Sequence, residues 1–228
     1  MNIGKRLKDI KHRITKSAIK CDRDPKSVRL VAVSKMVPAS RVKEAIDAGA
    51  DILGENYVQE TRTKFNELVS CPVSWHFIGH LQTNKAKYAV RLFDLIHSVD
   101  SLKLAIALDK QARKINKVQD VLIQINIGKE ASKSGADAEI VSSLIKDVSY
   151  LENLSVKGLM IMPPFFNDPE KVRPYFSDLR NLRDQIHHIL MGVDLHELSM
   201  GLSNDFEVAI EEGATFVRIG TAIFGERQ

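Results

Sequence analysis

From Leu30 to Gly220, short apolar or β-branched runs alternate with longer stretches in which apolar residues recur at helical spacing. That alternation predicts parallel strands joined by helices. The short runs are Leu30–Ser34, Ile52–Leu53, Trp75–Ile78, Leu95–Val99, Val121–Ile127, Val156–Met160, Leu195–Ser199 and Phe216–Ile219. Helical patterns fall near 39–48, 56–69, 82–91, 101–116, 136–149, 169–190 and 204–212, and a further helix over about 3–20 precedes the first strand. Eight strands alternating with helices is the count that closes a barrel, although periodicity alone does not separate a closed barrel from an open doubly wound sheet. Ser40, Ser101 and Ser203 stand where N-caps are wanted, and Gly49 and Gly213 follow helical stretches as C-terminal glycines do.

A chain of 228 residues lies within the range of one barrel-type domain, so 1–228 reads as a single α/β unit, a (β/α)8 barrel with an extra N-terminal helix. No run of 18 apolar residues occurs. The first twenty residues scatter Ile3, Leu7, Ile10 and Ile14 among lysines and arginines, without the continuous apolar core of a signal peptide. Cys21 and Cys71 are too few for a disulfide framework and lack metal-ligand spacing, which fits a reducing, cytoplasmic setting. The net charge of +4 is uneven: residues 1–29 hold ten Lys/Arg against three Asp/Glu. A basic arm invites a nucleic-acid reading, but this stretch has no aromatic residue to stack on a base, and a solvated helix face accounts for its charges equally well.

Parallel barrel strands are covered on both faces, so polar residues within them need a reason. Lys35 ends the first run, His76 and His80 bracket the third, Gln124 and Asn126 lie in the fifth, His196 in the seventh and Arg218 in the eighth. Side chains alternate faces along a strand, so Val31, Val33 and Lys35 share one face, as do Phe216, Arg218 and Gly220. If those faces point inward, cations and amides converge at the C-terminal ends of the strands, where barrels carry their chemistry. Taken singly, a lysine after a strand is more often a loop residue, and a strand histidine is more often a hydrogen-bonded core residue.

A lysine at a barrel mouth beside an arginine would be desolvated and near a like charge, and both effects lower its pKa and favour imine formation with an aldehyde. The segment Arg218-Ile219-Gly220-Thr221 puts a glycine and small residues before a short terminal helix, where barrels often bind phosphate. Ser199-Met200-Gly201-Leu202-Ser203 offers hydroxyls to the same phosphate. The HFIGH segment around His76 and His80 lacks the glutamate of a metalloprotease helix, so no metal site is expected. Neither a Gly-x-Ser-x-Gly elbow nor a Walker loop is present.

The segments LVAVSKMVPASRVKEAIDAGADILGENYVQE, WHFIGHLQTNKAK, IHSVDS, VLIQINIGKEASKSG, GLMIMPP and ELSMGLSNDFEVAIEEGATFVRIGTAIFGER together resemble the pyridoxal phosphate homeostasis protein family, related in fold to the N-terminal barrel of alanine racemase. The resemblance runs over nearly the whole chain. It implies pyridoxal 5'-phosphate as cofactor, held by Lys35 as a Schiff base, with Arg218 facing the pyridine nitrogen. It further implies that Ser199 and the backbone at Gly220 and Thr221 hold the phosphate with Ser203 close by, and that Asn56, His80 and Met162 line the pocket. The implied role is a cytoplasmic carrier or buffer of the cofactor, without strong turnover, that serves cofactor-accepting apo-enzymes and influences amino-acid metabolism. A pyridoxal-phosphate-dependent racemase or lyase of low activity is the alternative. Arginine beside the ring nitrogen weakens the electron sink that carbanion chemistry needs, and only eight residues follow Gly220, too few for the second domain that supplies a racemase's opposing base. The same shortage of chain leads to a monomer as the expected state.

Overall fold

A computed structural model describes residues 2–127, 134–190 and 192–226; residues 128–133, part of the VLIQINIGKEASKSG segment, lie outside it. The strands are β1 Arg29–Val33, β2 Ile52–Glu55, β3 Ser74–Phe77, β4 Leu95–Val99, β5 Gln119–Ile125, β6 Leu154–Ile161, β7 Glu197–Ser199 and β8 Phe216–Ile219. They pair in parallel, in chain order, and β8 closes on β1 through Arg29↔Phe216 to Ala32↔Ile219. The open doubly wound sheet is thereby excluded. Around the barrel run α1 Ile3–Lys20, α2 Ala39–Asp47, α3 Val58–Glu67, α4 Ala86–Leu92, α5 Leu102–Arg113, α6 Val141–Ser149, α7 Arg173–Ile189, α8 Phe206–Glu211 and the single turn α9 Thr221–Phe224.

Two apolar regions follow from the strand alternation. Outward-facing residues such as Leu30, Ala32, Leu53, Phe77, Ile96 and Leu198 pack under the helices in one large core. Val31, Leu95, Leu122, Met160 and Phe216 form a small inner cluster, so the face that carries Arg218 along β8 and leads to Lys35 beyond β1 is the inner one. An inner strand position must be small where neighbours crowd it. A Cβ on Gly158 would stand 1.9 Å from the Glu197 carbonyl oxygen, at the point where the β5–β6 register shifts.

Local signals decide the ends of elements, and some differ from expectation. Ser101 caps α5 by accepting the Leu104 N–H, and Gly49 and Gly213, at φ +99° and +100°, follow α2 and α8 in the left-handed conformation. Ser40 and Ser203 are not caps. Pro38 occupies the cap position of α2 and places Ser40 inside the first turn, while Asp205 precedes α8. Strand β7 begins only at Glu197, because its pairing with β6 starts at Gly158↔Glu197, which leaves His196 outside the sheet.

The basic N-terminal segment finds partners within the chain. Arg13 pairs with Glu207 at 2.9 Å and Lys20 with Glu211 at 2.9 Å on α8, while Arg23 donates to the Ile210 and Ala214 carbonyls. Part of the charge asymmetry is thus met within the chain. Among the described residues no helix is long and apolar enough to cross a membrane.

Gly158→Ala is expected to destabilise the fold by about 2–3 kcal/mol through backbone overpacking. Chemical denaturation checks this, and a wild-type midpoint would contradict the close approach of β6 to β7.

Candidate functional site

At the C-terminal mouth a cavity of about 340 Å³ is walled by Val33, Lys35, Val37, Met162, Phe165, Leu202, Ser203, Asn204, Asp205, Arg218, Gly220, Thr221, Phe224 and Gly225. Its size is at the lower end of small-molecule sites, about 300–1,000 Å³. Six of the residues expected at the site meet here: Lys35 from the turn after β1, Met162 after β6, Ser203 after β7, and Arg218, Gly220 and Thr221 at the end of β8. The Thr221 and Ser203 hydroxyls lie 3.3 Å apart. Gly220 sits against Val33, whose carbonyl oxygen a Cβ would meet at 3.3 Å.

Ser199, Asn56 and His80 are not in these walls. Ser199 is fully buried and commits its hydroxyl to Arg218, whose Nη1 donates to Oγ at 2.6 Å, and to His97 Nδ1 at 2.8 Å. That placement suits a support for Arg218 rather than direct contact with a phosphate. Asn56 packs against Gly79, and its buried Oδ1 has no hydrogen-bond partner among the described residues. His80 is largely exposed, with Nδ1 3.1 Å from Ser134 Oγ and 3.7 Å from Asp100 Oδ2.

Among the described residues Arg218 is the largest fully buried side chain, at 2 % exposure. Its Nη2 donates to the Ile161 carbonyl at 2.7 Å and approaches Met162 Sδ at 3.1 Å. Burial brings its pKa down to about 10, opposed by the Asp205 carboxylate, so it remains a cation at neutral pH. Behind it a polar chain crosses the barrel: His97 Nε2 lies 2.9 Å from His76 Nδ1. The direction of that chain is fixed by its ends. Arginine only donates, so Ser199 Oγ accepts from it, and the buried hydroxyl proton has no other acceptor among the described residues than His97 Nδ1. His97 is then the Nε2–H tautomer and donates to His76 Nδ1, which leaves His76 Nε2–H directed to the far mouth. Both rings are neutral: burial pulls His76 down to about 3 and His97 well below its ordinary value.

A second cavity, of about 380 Å³, opens at that N-terminal mouth and includes His76, Arg29, Asp120, Lys157, His196 and Glu197. Four of its charges form two pairs, and the further carboxylate, Asp94, accepts from Ser74 Oγ at 2.7 Å and from the Trp75 N–H at 2.9 Å. Arg29 binds Glu197 and stacks 3.9 Å over Phe216, and Lys157 lies 3.5 Å from Asp120. A ring of mutually bonded groups at the bottom of a barrel reads as stabilising the fold, whereas the C-terminal mouth is where barrels do chemistry.

Comparison with known proteins agrees with this fold. The family described as "Alanine racemase, N-terminal domain" matches residues 6–228. The pyridoxal phosphate homeostasis protein of Aquifex aeolicus is 46 % identical over 228 residues, covering all of both chains. The chain belongs to the pyridoxal phosphate homeostasis protein family. Another relative of that name, from Escherichia coli K12, is 40 % identical over 99 % of this chain and 97 % of its own. The structure of PipY from Synechococcus elongatus with PLP bound superposes with a TM-score of 0.88 at 35 % identity, over 98 % of this chain and all of PipY. Alanine racemase of Clostridium difficile shares the fold, with a TM-score of 0.75 at 15 % identity, and the match covers 98 % of this chain and 57 % of the racemase.

Within this family frame, several site residues carry weak sequence signals. Asp205, whose carboxyl burial pushes up while Leu202 N–H holds it at 2.6 Å, stands at the start of the 204–212 helical pattern, where an acidic residue reads as an ordinary helix-terminal one. His97 alternates with Leu95 along β4 and was open to the same polar-in-strand argument as His76. Phe165, 75 % exposed at the cavity rim, follows two prolines.

The neutral histidines give stability a predictable pH dependence. Between the unfolded value near 6.5 and the folded value of about 3 for His76, the unfolded state binds more protons, so stability falls as pH falls through that window. The expected slope is about 1.4 kcal/mol per pH unit for each histidine. His97→Gln should remove one histidine's share of the slope between pH 6 and 4, measured by urea denaturation; an unchanged slope would place the titration elsewhere.

Proposed function

We propose that this protein holds pyridoxal 5'-phosphate covalently on Lys35 and serves as a cytoplasmic carrier or buffer of that cofactor, delivering it as a monomer to apo-enzymes. The observation that carries the reading is that Lys35, Arg218 and the Ser203–Thr221 hydroxyl pair line one cavity at the C-terminal mouth. These residues fit the group chemically: an amine for an aldehyde, hydroxyls and open backbone for a phosphate, and a fixed cation for the ring. When bound, the cofactor supplies an aldehyde with which the Lys35 amine condenses, losing one water and leaving a carbon–nitrogen double bond that borohydride reduces.

Thr221 and Ala222 precede the first hydrogen bond of α9, which Ile223 makes to the Gly220 carbonyl at 2.9 Å, so their N–H groups are available beside the two hydroxyls. Arg218, held by Ser199 and the Ile161 carbonyl, presents only donors, and a donor at the ring nitrogen keeps that atom unprotonated. This favours holding the cofactor over using it as an electron sink. The cavity walls, among the described residues, include no histidine, cysteine or tyrosine; their carboxylate is Asp205, already accepting from Leu202 N–H. A protein that stores and releases the cofactor needs none of these acid–base groups. The PLP-bound PipY structure and the homeostasis name of the curated relatives support the same reading.

Borohydride reduction of the loaded protein should fix the label on the peptide carrying Lys35, read by mass spectrometry, and Lys35→Ala should abolish it. A full label in Lys35→Ala would overturn the assignment. Ser203→Ala combined with Thr221→Val should raise the Kd for the cofactor roughly tenfold, the loss of one or two hydrogen bonds to a charged group. Exchange of α-protons on a panel of amino acids should stay at the level of free cofactor; clear turnover above it would favour a racemase or lyase instead.

A further inference from the structure

Lys64 lies on α3, outside the cavity, with its side chain 7 % exposed. Its Nζ donates to the Ser34 carbonyl at 2.5 Å and to Glu55 Oε1 at 2.8 Å, and stands 2.6 Å from Glu60 Oε1. The same Glu60 oxygen accepts the Met36 N–H at 2.5 Å, and Ser34 Oγ donates to Glu55 Oε1 at 2.7 Å. The Ser34 carbonyl belongs to the peptide group before the Lys35 Cα, and the Met36 N–H to the one after it. One ion-paired trio therefore grips both peptide planes that set the direction in which the Lys35 side chain leaves the backbone.

The turn needs such a grip. Met36 adopts φ +59°, a left-handed conformation that a residue with a Cβ seldom takes without support from its surroundings. Stability alone is a poor reason for the trio, since buried ion pairs are often matched or bettered by apolar packing. Here the arrangement is also incomplete: Glu55 is fully buried and its Oε2 has no hydrogen-bond partner among the described residues. Burial accordingly pushes the Glu55 carboxyl up, against the pull of Lys64.

We propose that Lys64, braced by Glu55 and Glu60, is a positioning residue that orients Lys35 for the cofactor by fixing the Ser34–Met36 turn. This rests on Lys35 as the attachment point, but the hold on the turn is measurable without cofactor.

The test has two readouts in Glu60→Ala, Lys64→Met and Glu60→Gln. In cofactor-free protein, amide hydrogen exchange at Met36, followed by NMR, should quicken roughly tenfold in Glu60→Ala and Lys64→Met, the loss of a charge-assisted bond, while β5 amides keep their protection. In loaded protein, stripping of the cofactor by O-methylhydroxylamine should quicken by a similar factor. Glu60→Gln retains a carbonyl acceptor for Met36 and should restore most of both. If Lys64→Met fails to fold, Glu60→Ala, altered at a partly exposed side chain, gives the same readouts. Unchanged Met36 exchange overturns the proposal, and so does faster exchange with unchanged stripping. Full labelling of Lys35→Ala would instead sink the attachment reading and leave the Met36 result to judge the hold on the turn.

Discussion

The structure turns on a guanidinium buried at the inner face of the last strand. Arg218 cannot shed its proton at neutral pH, and it has no carboxylate within ion-pair distance among the described residues. Its charge is met instead by the Ser199 hydroxyl, the Ile161 carbonyl, the Met162 sulfur and the more distant field of Asp205. A buried cation satisfied by neutral acceptors imposes order on its neighbours, because each acceptor must itself be oriented. Ser199 passes that demand to His97, and His97 to His76, so polar residues that look misplaced in barrel strands form one directed chain. Phe216, from the apolar cluster that also holds Val31, Leu95, Leu122 and Met160, packs against both rings of that chain, with centroids 5.3 Å from His76 and 5.4 Å from His97.

The barrel was legible because its signal is redundant: eight apolar runs, each separated by a helical stretch, all point to one topology, and Leu95–Val99 and Phe216–Ile219 match the observed strands in full. Element ends were less so, since they depend on pairing and capping. Strand β7 is shorter than its apolar run because β6 offers partners only from Gly158, and Ser40 loses the cap to Pro38 because proline already sets the entry angle of α2. Lys35 and Arg218 stood out as cations at inner-face positions, and the fold brings both into one cavity. The displacement of Ser199 behind Arg218 was hidden, because a hydroxyl in a strand reads alike whether it meets a ligand or another side chain. Lys64 was hidden more deeply still: on a helix whose other face is solvated, a lysine carries no mark of burial.

Sharing a barrel with alanine racemase at 15 % identity shows how little of the sequence the architecture demands. What the architecture does demand is local. Gly54 must lack a side chain because a Cβ there would come within 2.7 Å of Val31, and Gly158 because the backbone of β7 passes so close. Such positions leave the loops at the C-terminal mouth free to carry function, and the cavity walls come chiefly from the turns after β1, β6, β7 and β8.

Holding a reactive aldehyde and releasing it later set opposing requirements on a lysine. The amine must be directed closely enough for attachment, yet the finished linkage must stay open to an incoming nucleophile. The two needs can be met by different parts of the structure. Orientation comes from beneath, where Lys64 and Glu60 grip the peptide groups on either side of Lys35 away from the cavity. Access comes from above, where Met162 and Phe165 form a partly exposed rim. A side chain aimed by its own backbone is held from below, so its direction does not depend on the residues that wall the cavity.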